Sequence, residues 1–323
     1  MKIKNFFKKL LTGAAIGVAS AIPGVSGGTI AVLLKCYDKI INSISNLFKK
    51  FKESFLYLAP ILLGVVLAII PCIYLFNKAF EGFVFGIVSL FAGLIIGSFP
   101  SLTKEVKNEK VKPIYILVLI FAFLIALSLG ILSATLGDKI DISSHFSSPE
   151  WWFFLVLIPV GALASVALII PGISGSMLLL VLGFYTPLLE YANKWSKEVL
   201  NGNWSNILTA IGILGCFAVG IIIGFFTIAK IMSFLLKKHR TGTFFGIFGF
   251  IIGSTLTLYF NNEILNYYKI WSSGNYVFIP MWLEILIGVL LMILGILSSY
   301  FLAKKSESNK LEENEENKLW NGN

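Results

Sequence analysis

Two short stretches of the chain carry residue types that could hold an anion. Pro23-Gly24-Val25-Ser26-Gly27-Gly28-Thr29 is matched 148 positions on by Pro171-Gly172-Ile173-Ser174-Gly175-Ser176. Proline ends a helix at the residue before it and glycine lets other groups approach the backbone, so each stretch predicts a helix that breaks and restarts. A helix restarting after Gly27-Gly28 or Gly175-Ser176 offers N–H groups with no acceptor in their own helix and a positive dipole end. The hydroxyls of Ser26, Thr29, Ser174 and Ser176 stand beside them. Phosphate oxygens suit such donors, and the stretches bring no metal ligands. Glycines that merely let a hairpin pack closely are the competing account. One copy leaves the two accounts level. Two copies favour a binding site of Ser26, Gly27, Gly28, Thr29, Ser174, Gly175 and Ser176, with Pro23, Gly24, Pro171 and Gly172 as the structural breaks.

Other reactive residues offer less. Lys35 and Lys39 follow the first break and could neutralise a phosphate, or could reach the headgroups at the membrane face. Their counterparts 148 positions on are Gly183 and Pro187, so a phosphate role for Lys35 is one-sided. An enzyme hydrolysing a lipid phosphate needs a histidine nucleophile beside clustered arginine and lysine. A single arginine, Arg240, and two histidines, His145 and His239, that fall in separate loops argue against an enzyme. Cys36, Cys72 and Cys216 are isolated in apolar runs, which suits neither disulfides nor a metal, and no cofactor is expected.

The elements that position these residues follow from composition. With 57% hydrophobic residues, 13% charged and a mean hydropathy of +0.85 over 323 residues, an ordinary soluble globule is excluded. The net charge of +9 comes from lysines at the ends of apolar runs, as membrane anchors require, and points to no nucleic-acid partner. Both breaks lie inside apolar runs. Irregular backbone at membrane depth survives only when buried in protein or lining a polar cavity, and two such breaks in corresponding halves point to a substrate site. The expected fold is an all-α polytopic membrane protein of two inverted repeats, each with a broken re-entrant hairpin, and about six full transmembrane helices.

In chain order, a lysine-rich start and Ala19-Ser20-Ala21 mimic a signal peptide, but the internal second copy assigns this segment to the fold. The stretch after the first break is interrupted by Lys35, Asp38, Lys39 and Asn42 and is too polar to cross alone, so a hairpin over about 10–47 fits. Spans follow at Phe55 to Phe76, Phe83 to Phe99, Ile114 to Leu136, Ile207 to Ile228, Phe244 to Phe260 and Trp282 to Leu302, with the second hairpin at 151–187. The first repeat takes 1–110, a linking span and outer loop 111–150, the second repeat 151–262 and the final span 263–303. Three spans separate the hairpins, so the second enters from the opposite side. Lys49, Lys50, Lys52, Lys104, Lys107, Lys110, Lys112, Lys237, Lys238, Arg240, Lys304 and Lys305 then gather with both termini on the cytoplasmic side. The charged 304–323 tail lacks apolar period and is expected to be disordered.

Repetition extends beyond the breaks. A shift of 148 aligns Gly13 with Gly161 and Tyr37 with Tyr185. A shift of 160 aligns Gly64 with Gly224, Gly86 with Gly246 and Gly93 with Gly253, which implies a second-copy loop 12 residues longer. Gly93-x3-Gly97, Gly220-x3-Gly224 and Gly249-x3-Gly253 read as close helix crossings. On the residues alone, a lipid-phosphate carrier and a small-anion transporter or channel on the same scaffold both remain, since helix N-termini bind any anion.

The pattern Gly-x3-Gly-x5-Pro-Gly-Val-Ser-Gly-Gly-Thr from Gly13 to Thr29 is followed by Tyr37-Asp38. With Pro-Gly-Ile-Ser-Gly-Ser at 171–176 and Leu182-Gly183-Phe184-Tyr185, it resembles the bacterial polyprenyl-phosphate transporters, the PopT family, over roughly residues 10 to 300. The resemblance implies translocation of undecaprenyl phosphate from the outer to the inner leaflet of the cytoplasmic membrane, for re-use in cell-envelope synthesis. The implied partners are the lipid phosphate, the bilayer and a coupling ion, proton or sodium. Family members often carry an acid shortly before the first proline, where this chain has Ser20 and Ala21, and often glycine where it has Lys35. No proton-coupling acid is carried over to that place.

Overall fold

The structure, a computed structural model, describes residues 3–20, 26–80, 83–106, 109–136, 142–202, 204, 207–260, 262–275 and 279–320. Fourteen α-helices make up its regular structure, and no strand forms among the described residues. The apolar runs leave the backbone no partner but itself, which is the condition under which lipid-embedded chain becomes helix. The first half comprises α1 (Ile3–Ser20), α2 (Gly27–Leu33), α3 (Tyr37–Ser45), α4 (Phe51–Phe80), α5 (Val84–Thr103) and α6 (Pro113–Leu136). After the short α7 (Ser143–Ser147) come α8 (Trp151–Ile169), α9 (Gly175–Val181), α10 (Tyr185–Leu200), α11 (Ile207–Lys238) and α12 (Arg240–Thr257). The chain closes with α13 (Asn262–Ser272) and α14 (Met281–Trp320).

Among the described residues six helical stretches are long and apolar enough to cross a membrane, but their membership differs from the sequence expectation. Trp151–Ile169, placed by sequence in the second hairpin, is one of the six, because its 19 residues meet no break before Pro171. Val84–Pro100, expected as a full span, falls just short of that length. The outward faces carry exposed apolar side chains, such as Leu117 and Phe121 on α6 and Leu286 and Leu290 on α14, which is the pattern of a surface solvated by lipid. At the C-terminus α14 extends to Trp320. Leu311-Glu-Glu-Asn-Glu-Glu-Asn-Lys-Leu-Trp320 is rich in helix formers and needs only the preceding span as its nucleus.

Four helix pairs form the framework: α1 with α4, α8 with α11, α5 with α14 and α6 with α12. Each is seated on glycines. A side chain at Gly13 would strike the carbonyl of Ile61, at Gly161 that of Phe217, at Gly93 that of Met292 and at Gly249 that of Leu119. These backbone-to-backbone crossings are what small residues allow in a bilayer, where apolar burial gives helices no reason to associate. They also correct the register of the repeat. Gly13 facing Ile61 matches Gly161 facing Phe217, and Gly64 facing Leu10 matches Gly220 facing Ile158, so the later helices correspond at a shift of 156 rather than 160. Four residues are about one helical turn, so the wrong shift keeps the same face and the same glycine periodicity. The extra length in the second copy is helix rather than loop: α10 has 16 residues where α3 has 9.

Candidate functional site

The two breaks have the same local geometry. Ser26 and Ser174 both precede their helices at φ −94° and ψ 127°, extended backbone from which neither side chain caps the helix it precedes. The restarted helices α2 and α9 have seven residues each. Both close on a left-handed residue, Lys35 at φ 55° and Gly183 at φ 75°. Their terminal hydrogen bonds correspond as well, from Cys36 N–H to the Ala31 carbonyl and from Phe184 N–H to the Leu179 carbonyl. Lys35 therefore sits where the second copy uses glycine, and it does so against the steric preference of an L-residue. Pro23 and Gly24 lie outside the described residues.

The chain doubles back at each break, and the two breaks meet. A side chain at Gly27 would strike Ser20 and Ile16 of α1, so α2 lies alongside the helix it follows, and Gly175 takes the same place against Ala167 and Ala164. A Cβ on Gly28 would stand 3.3 Å from the Cα of Pro171, which brings the first stretch onto the second. Gly172, at φ 86°, rests on the backbone of Phe250 in α12. Tyr37 adds a bridge that sequence reading did not foresee. Its buried hydroxyl donates to the carbonyl of Ile169, the last residue of α8, at 2.8 Å. Its sequence signals were the alignment of Tyr37 with Tyr185 and the Tyr37-Asp38 pair after the first break. Removing the hydroxyl leaves a carbonyl at the second break without its donor, so Tyr37→Phe is expected to lower stability by about 1–3 kcal/mol, read as an earlier thermal transition of the purified protein.

Within this junction Ser26 is 7% exposed and Thr29 1%. The Ser26 hydroxyl oxygen is buried and has no hydrogen-bond partner among the described residues. Ser174 and Ser176 share a hydrogen bond at 3.0 Å between their hydroxyls. Lys35 is not brought to the breaks. It stands at the other end of α2, about 12 Å away by helical rise, in a small cavity with Val32, Tyr37, Asp38, Leu102, Arg240 and Phe244. There Arg240 pairs with Asp38 at 2.6 Å and ties α3 to α12. Lys9 lies near this end too, and partial burial, then the like charge of Lys39, push its ammonium below the usual lysine range.

Beside the first break lies a cavity of about 460 Å³. Ser20, Gly27, Gly28 and Tyr37 supply its polar patch; Ile41, Ile44, Ile61, Val65, Phe225 and Phe226 supply much of its apolar wall. Leu62 of α4, also in the wall, is 63% exposed, so the cavity is bounded on one side by an exposed apolar helix face. Ala167, Leu168 and Ile169 bring in the end of α8; of the expected site residues Gly27 and Gly28 line the cavity, whereas Ser26, Thr29, Ser174, Gly175 and Ser176 do not. No group of three or more potential metal ligands occurs among the described residues. Of the two histidines, His239 is exposed, while His145 packs on Trp152 and Phe153.

Paired broken helices meeting among apolar helices long enough to span a membrane, with a cavity beside the first break, suit a multi-pass membrane transporter. Comparison with known proteins narrows the class. The family model VCA0040-like, undecaprenyl phosphate translocase-like, matches residues 16–276, and the chain belongs to that family. It is 32% identical over 254 residues to a polyprenyl-phosphate transporter of Staphylococcus aureus, covering 77% of this chain and 85% of that one. It is 29% identical over 292 residues to a polyprenyl-phosphate transporter of Vibrio cholerae, covering 85% and 84%. No solved structure matches.

Proposed function

We propose that the protein carries undecaprenyl phosphate, or a polyprenyl phosphate of the same build, from the outer to the inner leaflet of a bacterial cytoplasmic membrane for re-use in envelope synthesis. Its phosphate lies at the junction of the two breaks, against Ser26, Gly27, Gly28 and Thr29, with Ser174, Gly175 and Ser176 completing the site from the second copy. The observation that carries this reading is a largely apolar cavity whose lining runs from Gly27 and Gly28 to the exposed Leu62 of α4, which supports an opening to the bilayer on that side. A free phosphate has no use for an apolar side opening, whereas a lipid phosphate must keep its tail in hydrocarbon while its headgroup crosses. The cost of the crossing is desolvation of the charge, and hydroxyl and N–H donors offset it.

The two copies act as inverted repeats with both termini cytoplasmic, so rocking one against the other exposes the junction to each side in turn. The Asp38–Arg240 pair and the Tyr37–Ile169 bond hold the lysine-rich side together in the present arrangement. Lys35 serves as a helix end and headgroup anchor rather than as a phosphate ligand.

Protection of an engineered thiol tests the assignment. Undecaprenyl phosphate is expected to shield a Ser174→Cys thiol from a polar maleimide in proteoliposomes at concentrations where a large excess of inorganic phosphate does not. Equal shielding by inorganic phosphate would move the protein to the small-anion transporters. Shielding by neither would remove the phosphate from this junction.

A further inference from the structure

A second buried polar centre lies away from the breaks. Glu284, in the first turn of α14, is 0% exposed. Its Oε2 accepts a hydrogen bond from the Tyr267 hydroxyl of α13 at 2.7 Å, and its Oε1 is buried with no partner. The backbone N–H groups of Phe85 and Gly86, in the first turn of α5, also point at the carboxyl group and offset part of its burial, while Oε1 itself finds no well-aligned donor. One turn along, Gly288 leaves room for the Phe85 ring and the Ser89 hydroxyl, and Ser89 accepts from Tyr259 at 3.3 Å. Trp271 closes the far side, its ring 5.4 Å from that of Tyr267 and 5.7 Å from that of Phe85, and its Nε1 is buried without a partner. Among the described side chains, the titratable neighbours on these elements are tyrosines, Tyr259, Tyr267 and Tyr268, while Lys269 on α13 is exposed and bonds Asn266. Glu284 forms no ion pair among the described residues.

We propose that Glu284 is a proton-binding site and that the proton is the ion this transporter couples to its lipid substrate; the coupling rests on the transport reading above, the proton site does not. A carboxylate bound at one oxygen and bare at the other is far costlier to bury than the neutral acid, so a proton is the occupant that this geometry favours. Capping of α5 accounts for the carboxyl's position but leaves Oε1 bare. The site is also wired to the junction. α5 receives the carboxyl at its first turn, crosses α14 at Gly93 and Gly97, and buries Val88 and Phe91 in the same core as Ile30, Ala31 and Val32 of α2. A shift of the first break therefore moves α5 against α14 and opens Glu284 to water. Glu284 lies at the end of α14 remote from Lys304, so the proton enters from the face opposite the lysines and leaves toward them.

Two measurements on the full-length protein test this. Infrared difference spectra between acid and alkaline pH are expected to contain a protonated-carboxyl band that Glu284→Gln lacks. Should that variant not insert, Tyr267→Phe keeps the carboxyl and is expected to change the pH at which the band vanishes. In proteoliposomes, acid on the Glu284 face should bias undecaprenyl phosphate to the opposite leaflet, by about tenfold per pH unit at one proton per lipid, and Glu284→Gln should abolish the bias. A wild-type spectrum identical to that of Glu284→Gln, or an unchanged bias in the variant, overturns the proposal. Absence of any undecaprenyl phosphate movement by wild type would sink the transport reading, and the infrared band would then decide the proton site alone.

Discussion

Ser26→Ala protein is expected to move undecaprenyl phosphate about 10- to 100-fold more slowly than wild type while melting no earlier. The two halves of that outcome come from one observation, the buried Ser26 hydroxyl oxygen without a partner. An unsatisfied buried polar atom stabilises nothing, so its removal leaves the empty protein as stable as before or more so. With phosphate in place the same hydroxyl makes a charge-assisted hydrogen bond worth about 1.5–3 kcal/mol, and the rate falls accordingly. Ser174→Ala is a weaker test because Ser174 already pairs with Ser176. Transport by Ser26→Ala at the wild-type rate would show that the orphan hydroxyl faces no substrate. A large fall in melting temperature would show that it has a structural partner instead.

Gly172→Ala should destabilise the protein by about 3 kcal/mol or more and abolish transport, and Gly202→Ala provides the control. Both glycines are left-handed, at φ 86° and φ 78°, so alanine at either incurs a backbone penalty of about 1–2 kcal/mol. At Gly202 nothing stands within 4 Å of the added carbon, and the penalty ends there. At Gly172 the carbon would lie 2.6 Å from the backbone of Phe250, which cannot yield without moving α12 and the break together. Comparison of thermal melting for the two variants isolates the contact. Equal losses would mean that the second break does not rest on α12.

Much of the site was legible in the sequence because it is local. Proline followed by glycine and serine fixes where a helix stops and restarts, and the recurrence at 148 residues gave the same backbone twice, down to the φ and ψ of Ser26 and Ser174. Glycine spacing likewise named the residues at the crossings. Their partners were not legible, since a glycine marks only that something comes close. That α6 packs on α12 and α14 on α5 has no trace in local pattern. The one-turn error in the repeat register has the same origin, because helical periodicity cannot distinguish a shift of one turn.

Composition and lysine placement by themselves determined a helical membrane protein, and two proline-glycine breaks determined where it would be irregular. Only tertiary structure decided what those breaks do: that Gly28 meets Pro171, that Tyr37 ties the first hairpin to Ile169, and that Lys35 is carried away to Asp38 and Arg240. The same holds for Glu284, which reads as one acid at the start of an apolar run until α5 and α13 close over it. The physical reason is that solvation of a side chain inside a bilayer is set by neighbours distant in sequence. A hydroxyl or carboxyl becomes a binding group only when the fold has removed its water and left one of its oxygens without a partner.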